Sequence, residues 1–408
     1  MPPRELTNAY VRWRFSTDAA ISATPAIADV NSDGHQEVIA SSQDGFLFAL
    51  SEKGRPLWEF EANNRFTASP AIVELPGLGP TILAPNWDHC LYALGGDGEP
   101  RWIYDAGARL SNAPPAVADI DGDGKPEIVF SCGFDGTLRV IRADGTPIWS
   151  TTLNRYLPEG ASVDLSPTLA SFDKLNITHI LAVGSDGCLY SVAPDGEQMW
   201  HLRPEGGLGP VCAVSESYGI IVAGSEDGRV FGISPQGDVL WVEETNAPAL
   251  FPVISRSLDG RMLIATESAV VVNPGGETNI IWHITHDVER DTLERPTLAE
   301  WSSKPRSVWY QMRESGPAII RRKKGLRVIV GVGTRLRVHE EAGAKVVDIE
   351  VGEQPTSPVV GDLDRDGRLT AIVGTQAGEV VAVRLPRKVR GRDWLTYRDG
   401  TKRHGWRQ

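Results

Sequence analysis

Short runs of apolar, β-branched and aromatic residues alternate with turns rich in Gly, Asp and Pro along nearly the whole chain. In the first unit this pattern predicts four strands, at residues 26–30, 37–41, 46–50 and 57–61. Such runs, separated by Gly and Asp, are typical of strands joined by tight turns. No amphipathic helical pattern of useful length occurs. The pattern therefore predicts an all-β protein.

The same unit recurs along the chain. Tryptophans near the unit ends lie 44, 47, 51, 41 and 41 residues apart, at Trp58, Trp102, Trp149, Trp200, Trp241 and Trp282. A repeat of this length with four strands predicts a β-propeller. Prolines give a second count, because Pro is tolerated at the first residue of a strand. Eight of them open units, at Pro25, Pro70, Pro115, Pro167, Pro210, Pro252, Pro317 and Pro358.

The chain ends suggest how the ring closes. Residues 11–15 read as a fourth strand without a unit of its own, and the last unit supplies three strands. Pairing of these two pieces would remove free sheet edges. We therefore predict a single domain over residues 1–408, an eight-bladed propeller of four-stranded antiparallel blades closed by the N-terminal strand. The seventh unit lacks its tryptophan, and an insertion at residues 297–315 precedes it.

Composition and charge narrow the function. The net charge of -12 disfavours nucleic-acid binding, although residues 321–324 and the tail at 386–408 are basic. No apolar run approaches the length of a membrane span, and no signal peptide is visible, so we expect a cytoplasmic protein. The four cysteines lie singly in different units, at Cys90, Cys132, Cys188 and Cys212. We therefore expect buried small hydrophobic residues, and not disulfides or metal ligands.

Three units carry an acidic loop between their first two strands. At loop positions 1, 3, 5, 7 and 9, the first loop has Asp29, Asn31, Asp33, His35 and Glu37. The second loop has Asp119, Asp121, Asp123, Lys125 and Glu127. The third loop has Asp362, Asp364, Asp366, Arg368 and Thr370. Oxygen ligands at positions 1, 3 and 5, Gly at position 6 and a backbone carbonyl at position 7 are the pattern with which a tight loop binds Ca²⁺.

We predict two or three calcium sites in these loops. None is an EF-hand, because position 12 holds Ala40, Phe130 or Val373 in place of the bidentate Glu. Position 9 would close the site in the first two loops, and Thr370 would close the third less well. The alternative is a plain Asp- and Gly-rich turn whose side chains bond their own backbone.

The loops, placed between the first two strands of a propeller blade, resemble FG-GAP or VCBS-type repeats. The second half of each unit, as in residues 186–200, resembles the PQQ-like or quinoprotein repeat. Residues 394–399 are similar to a terminal segment of bacterial proteins of this kind. The resemblance implies tryptophans packed between blades. Pyrroloquinoline quinone is not expected, because the chain lacks the adjacent cysteines that quinoprotein dehydrogenases usually have.

These observations favour a non-enzymatic, calcium-binding scaffold that binds another protein. The insertion carries Trp301, Trp309 and Tyr310, which either fold back on a blade or form a contact patch. One alternative is a small-ligand binder or quinoprotein-like enzyme that uses the central channel. A second alternative is a cell-surface adhesion propeller. The eight histidines form no cluster in the sequence that would indicate a shared metal.

Overall fold

The computed structural model describes most of the chain. The described residues are 10–133, 135–153, 165–172, 178–245, 248–256, 262–266, 269–273, 279–283, 316–322, 325–340, 343–386 and 393–396. The predicted contact residues of the insertion, Trp301, Trp309 and Tyr310, lie outside them. Among the described residues, no helix combines the length and apolar composition that crossing a bilayer requires.

Consecutive antiparallel strands build blades 1 to 6. Blade 1 has β2 (Ala26–Ala28), β3 (Glu37–Ser41), β4 (Phe46–Leu50) and β5 (Pro56–Glu61). Blade 2 has β6 (Ala71–Leu75), β7 (Gly79–Pro85), β8 (Cys90–Leu94) and β9 (Pro100–Asp105). Blade 3 has β10 (Ala116–Ala118), β11 (Glu127–Cys132), β12 (Thr137–Arg142) and β13 (Pro147–Thr152).

The next three blades repeat this order. Blade 4 has β14 (Leu165–Ser171), β15 (Thr178–Gly184), β16 (Leu189–Val192) and β17 (Gln198–Leu202). Blade 5 has β18 (Cys212–Ser215), β19 (Ile220–Gly224), β20 (Arg229–Ile233) and β21 (Val239–Glu244). Blade 6 has β22 (Val253–Arg256), β23 (Met262–Ala265), β24 (Ala269–Asn273) and β25 (Asn279–His283).

The unit that follows is a five-stranded sheet. It contains β26 (Ala318–Arg322), β27 (Gly325–Val332), β28 (Arg335–Glu340), β29 (Lys345–Glu350) and β33 (Asp393–Thr396). β33 pairs antiparallel with β26, the first strand of the unit, and also contacts β22 and β30 (Val359–Gly361), the first strands of the two neighbouring units. First strands of neighbouring units contact each other around the ring, so β33 lies on the channel side of β26.

The prediction of eight four-stranded blades is therefore wrong. The described residues form seven four-stranded blades, and the remaining sheet has five strands because the C-terminal segment adds a strand to its inner edge. The uniform repeat in the sequence gave no sign of this addition, because β33 lies far along the chain from the sheet that it joins.

The closing blade joins the two ends of the chain. It contains β30, β31 (Thr370–Gly374), β32 (Glu379–Arg384) and β1 (Val11–Ser16), in that order. β1 pairs antiparallel with β32 from Val11 opposite Val383 to Ser16 opposite Glu379, with a register shift before Trp13. Pairing of the N-terminal strand with the last unit is thus confirmed.

The apolar core is divided among the spaces between neighbouring sheets. Each of the eight buried clusters in the described residues draws side chains from two adjacent sheets. In one example, Val38 and Leu50 of blade 1 pack with Ile372 and Ala382 of the closing blade, all completely buried. Burial of this kind is the main favourable term in folding. The eight clusters place every sheet between two neighbours and complete the ring.

Tryptophans of the outer strands link successive blades, as the resemblance implies. In five of them the indole Nε1–H donates to a carbonyl in the next blade, in the hairpin between its third and fourth strands. The bonds run from Trp13 to Glu52 (3.1 Å), Trp58 to Gly96 (2.8 Å), Trp102 to Ala143 (3.0 Å), Trp149 to Pro194 (2.7 Å) and Trp200 to Pro235 (2.8 Å). Packing between blades is therefore their role.

The topology explains why the five-stranded sheet has no such tryptophan. Val347 pairs with Val338, just as Trp58 pairs with Ala49 in blade 1, so Val347 holds the tryptophan position. A tryptophan there would need a hairpin between the third and fourth strands of the closing blade. Those strands are β32 and β1, which come from opposite ends of the chain, so no hairpin joins them.

Candidate metal centre

The three acidic loops lie on the same face of the ring, because each connects the first and second strands of its sheet. They join β2 to β3, β10 to β11 and β30 to β31. Position 6 of the loops is a glycine with positive φ: +91° at Gly34, +85° at Gly124 and +75° at Gly367. A side chain there would be strained, and so the loop pattern requires glycine at this position.

In the second loop, carboxylates accept hydrogen bonds from the loop backbone. Asp119 accepts from Gly122 N at 2.7 Å and Gly124 N at 3.0 Å. Asp121 accepts from Asp123 N, and Asp123 accepts from Lys125 N at 2.7 Å. These bonds are those of an Asp-rich turn, and they also hold the loop in a tight coil around its carboxylates.

The second loop also brings ligand atoms together. One oxygen each from Asp119, Asp121 and Glu127 lies within 4.8 Å of the others. Glu127 is only 3% exposed, and its Oε2 accepts from Ile120 N at 3.0 Å. Burial, together with the nearby aspartates, raises the pKa of Glu127 to about 7 although the Ile120 amide acts in the opposite direction. A hard divalent cation would offset this concentrated negative charge, so the donor set fits Ca²⁺.

The first loop has most of the corresponding backbone bonds and also a neighbouring cation. Glu37 is buried and accepts from Val30 N at 3.0 Å, and burial raises its pKa. Asp33 accepts from His35 N at 2.7 Å, which lowers the pKa of Asp33. Arg365, from the third loop, lies 3.7 Å from Asp29. This exposed guanidinium partly balances the charge of the first loop.

In the third loop, two arginines from neighbouring strands donate hydrogen bonds to the acidic side chains. Arg12 of β1 donates to Asp364 at 2.8 Å and to Thr370 Oγ1 at 3.3 Å, so one guanidinium contacts loop positions 3 and 9. Arg384 donates to Asp364 and, at 2.8 Å, to Asp366. Burial acts to raise the pKa of Asp364, but these hydrogen bonds from Arg384 and Arg12 outweigh it and lower that pKa. The third loop therefore does not fit Ca²⁺, because arginine side chains already pair with the carboxylates that would bind the ion.

Of the predicted ligands, the structure groups Asp119, Asp121 and Glu127. The predicted backbone ligands are the carbonyls of His35, Lys125 and Arg368, and the structure adds that the amides of these residues donate to the aspartate two residues earlier. Arg12 and Arg384 were missed by the sequence analysis. The sequence offered a sign of Arg12, because the predicted closing strand at residues 11–15 pairs with β32 and so lies next to the third loop.

Three of the four cysteines are buried thiols, and Cys90 is half-buried. Burial raises the pKa of Cys90 and Cys132 to about 11, and that of Cys188 and Cys212 to about 12. A thiol with such a pKa carries almost no thiolate at neutral pH and is a poor nucleophile or metal ligand.

Two family models match parts of the chain. One, described as the lambda-carrageenase beta-propeller domain, matches residues 7–100. The other, described as outer membrane protein assembly factor BamB, matches residues 134–281 and belongs to the PQQ-like repeats. These matches support a PQQ-like propeller family, and neither is an FG-GAP or VCBS repeat. Among curated proteins, none matches the sequence.

Solved structures share the fold over most of the chain. BamB from Moraxella catarrhalis has 17% identity and a TM-score of 0.58, covering 92% of this chain and 98% of that one. BBS1N in complex with ARL6DN has 14% identity and a TM-score of 0.54, covering 93% and 98%. Sqt1 from Saccharomyces cerevisiae has 9% identity and a TM-score of 0.64, covering 93% and 100%. At these identities the similarity shows the propeller fold alone.

Proposed function

We propose that this chain is a non-enzymatic propeller that serves as a protein-interaction scaffold, with calcium bound in the loop at residues 119–127. Similar proteins support the scaffold role. One matching family model is that of an outer membrane protein assembly factor, and one structure of the same fold is a complex of two proteins, BBS1N and ARL6DN. Propellers of this kind present loops on two faces, on which a partner protein can bind.

The position of β33 is the observation that carries the proposal. Small ligands of propellers bind where the inner strands converge. Here the inner edge of β26 is paired with β33, and β33 also contacts β22 and β30. The chain's own backbone thus occupies part of the space that a ligand in the channel would need. This arrangement favours a partner on the outer surfaces over a substrate in the channel.

Calcium would act on stability and not on chemistry. Asp119, Asp121 and Glu127 would hold the ion, Asp123 would add a fourth carboxylate, and the carbonyl of Lys125 would complete the loop. The third loop supports this assignment from within the same chain, because there two arginine side chains hold the acidic loop. The second loop has the same acidic pattern, and a metal ion would serve it equally well. The proposal therefore keeps one part of the resemblance to FG-GAP or VCBS-type repeats, which is calcium binding by the second loop.

Cross-linking of the full-length chain in extracts, followed by mass spectrometry, tests the scaffold role. We expect a reproducible protein partner whose cross-links map to residues on a face of the ring. A control chain with β1 deleted, which cannot close the ring, should lose those cross-links. Recovery of the intact chain without any reproducible partner would contradict the proposal, as would a stoichiometric complex with a quinone or a sugar in calorimetric titration.

A further inference from the structure

The face opposite the acidic loops carries a cluster of arginine and tryptophan. In each blade the second-to-third connection and the connection to the next blade lie on that face, because successive strands are antiparallel. Trp87 lies between β7 and β8, Arg65 lies between β5 and β6, and Arg109 lies between β9 and β10. Three separate connections therefore meet at blade 2. We call Arg65, Trp87 and Arg109 the Arg–Trp patch.

Both guanidinium groups pack on one indole. Arg109 Cζ lies 4.0 Å from the centroid of the Trp87 ring, and Arg65 Cζ lies 5.0 Å from it. These are cation–π distances. The indole is held in turn, since Trp87 Nε1 donates to Asn112 Oδ1 at 3.2 Å and the Thr67 hydroxyl donates to the same oxygen at 2.7 Å. The patch is therefore arranged before any ligand arrives.

Blade building does not require this patch. Arg65 and Arg109 each precede a fully buried residue, Phe66 or Leu110, whereas the corresponding residue before the buried Ile21 is Ala20. Two residues after Trp87, exposed His89 has φ of +79°. Other units have glycine at that position: Gly45, Gly136, Gly187, Gly228 and Gly378. Left-handed backbone in a residue other than glycine is strained, and such strain is concentrated at functional sites.

We propose that the Arg–Trp patch binds an acidic segment of a protein partner. Two guanidinium groups on one indole place two positive charges at one point of the surface, and a guanidinium binds a carboxylate through charge-assisted, bidentate hydrogen bonds. Trp and Arg are also the residues that contribute most to binding at protein interfaces. The net charge of -12 opposes extended polyanions such as nucleic acid, so a short segment with a few carboxylates fits better. This inference rests on the proposed scaffold function and names the surface used.

Fluorescence anisotropy with two labelled, capped peptides tests the patch on the full-length protein. One peptide alternates Glu and Tyr, and the other alternates Gln and Tyr. We expect the Glu peptide to bind at least tenfold more tightly and to weaken as salt is added. The variant Arg65→Ala/Arg109→Ala should weaken its binding at least tenfold, and Arg65→Lys/Arg109→Lys should restore only part of the loss. The matched control, Lys53→Ala/Arg55→Ala, removes equal charge from a hairpin on the other face and should bind as the parent does.

Three results would overturn the patch: equal affinity for the two peptides, undiminished binding by Arg65→Ala/Arg109→Ala, or tighter binding of a sulfated galactan oligosaccharide through the same arginines. Thermal melting of each variant verifies that it folds. The scaffold role is judged separately. If Arg65→Ala/Arg109→Ala keeps every cross-linked partner, the scaffold proposal stands and the patch falls. If the parent chain has no partner, the scaffold proposal falls whatever the peptides do.

Discussion

Arg12 separates the third acidic loop from the other two. Its guanidinium contacts the side chains at loop positions 3 and 9, Asp364 and Thr370, whereas the second loop has acidic side chains at both positions, Asp121 and Glu127. Loops of nearly the same sequence therefore differ in what balances their charge. In the closing blade the cation is covalently part of the chain, and in blade 3 it would come from solution.

The first prediction compares matched aspartates at position 3. We expect calcium at a hundred times its dissociation constant to stabilise the parent protein by about 2.7 kcal/mol, because it binds only the folded state. Asp121→Asn should remove most of this effect. Asp364→Asn should lower stability equally with and without calcium, because it breaks an arginine pair. Thermal melting in calcium and in chelator measures both variants, and an unchanged calcium response in Asp121→Asn would contradict the assignment.

The second prediction concerns pH. The pKa of Glu127 is raised to about 7, so its carboxyl is increasingly protonated as pH falls below 7. A protonated carboxyl is a poor calcium ligand, and calcium binding must then release a proton. We therefore expect weaker calcium binding at pH 6 than at pH 8, measured by calorimetry. Glu127→Gln should bind calcium weakly at both values, and an affinity that does not change with pH in the parent would argue against Glu127 as a ligand.

Links between blades are made by the outer strands. In blades 1 to 5, the glycine of the third-to-fourth hairpin leaves room for the indole of the preceding blade. A Cβ atom on Gly98 would lie 2.7 Å from Trp58 Cδ2, and one on Gly54 would lie 2.5 Å from Trp13 Cδ2. The absence of a tryptophan at Val347 follows from the same geometry, since the closing blade has no such hairpin. The exception in the repeat is thus a consequence of where the chain begins and ends in the ring.

The third prediction isolates this contact with two glycines. Gly98 and Gly107 both have positive φ, +84° and +66°, so alanine is strained at either position. A Cβ atom at Gly107 would meet nothing within 4 Å. We expect Gly107→Ala to cost about 1 kcal/mol of unfolding free energy and Gly98→Ala to cost a further 1–3 kcal/mol, on the order expected for overpacking. Chemical denaturation measures the difference, and equal costs would show that the indole contact is unimportant.

Closure of the ring depends on β1. Its outward side carries Trp13, which bonds the next blade, and its pairing with β32 covers an edge that would otherwise be free. Phe15 packs in the cluster between the closing blade and blade 1. β1 therefore completes the closing sheet and its interface with blade 1. It also supplies Arg12, one of the two arginines that pair with Asp364.

The fourth prediction tests closure by two deletions. Removal of residues 1–9, which precede β1, should leave the melting temperature close to that of the full chain. Removal of residues 1–16 deletes β1, exposes the edge of β32 and leaves Asp364 without Arg12. We expect a cooperative transition at much lower temperature and aggregation, because an exposed strand edge pairs with other chains. Light scattering and calorimetry report both effects. A monomeric, equally stable protein without β1 would refute the closing role.

Local pattern was enough to predict most of the strands, the interblade tryptophans and the strand that closes the ring. Pro opens each unit and Trp recurs at a fixed place in all but the seventh, and these residues act within one blade or on the next. The pairing of β33 with β26 and the arginines around Asp364 were not predicted. Both depend on segments that meet only after the ring has formed. Trp87 with its two arginines was also missed, since three separate connections of neighbouring blades supply these residues.

The pairing of β1 with β32 has a consequence for biosynthesis. Roughly 360 residues separate the two strands, and at about 5–20 residues per second a ribosome needs about 20–70 s to make them. For most of that interval Trp13 and Phe15 are outside the exit tunnel without their partner strand. Chaperones that bind exposed aromatic segments would therefore have a long opportunity to act on the nascent chain, and a chain that terminates before residue 379 can never be completed into a ring.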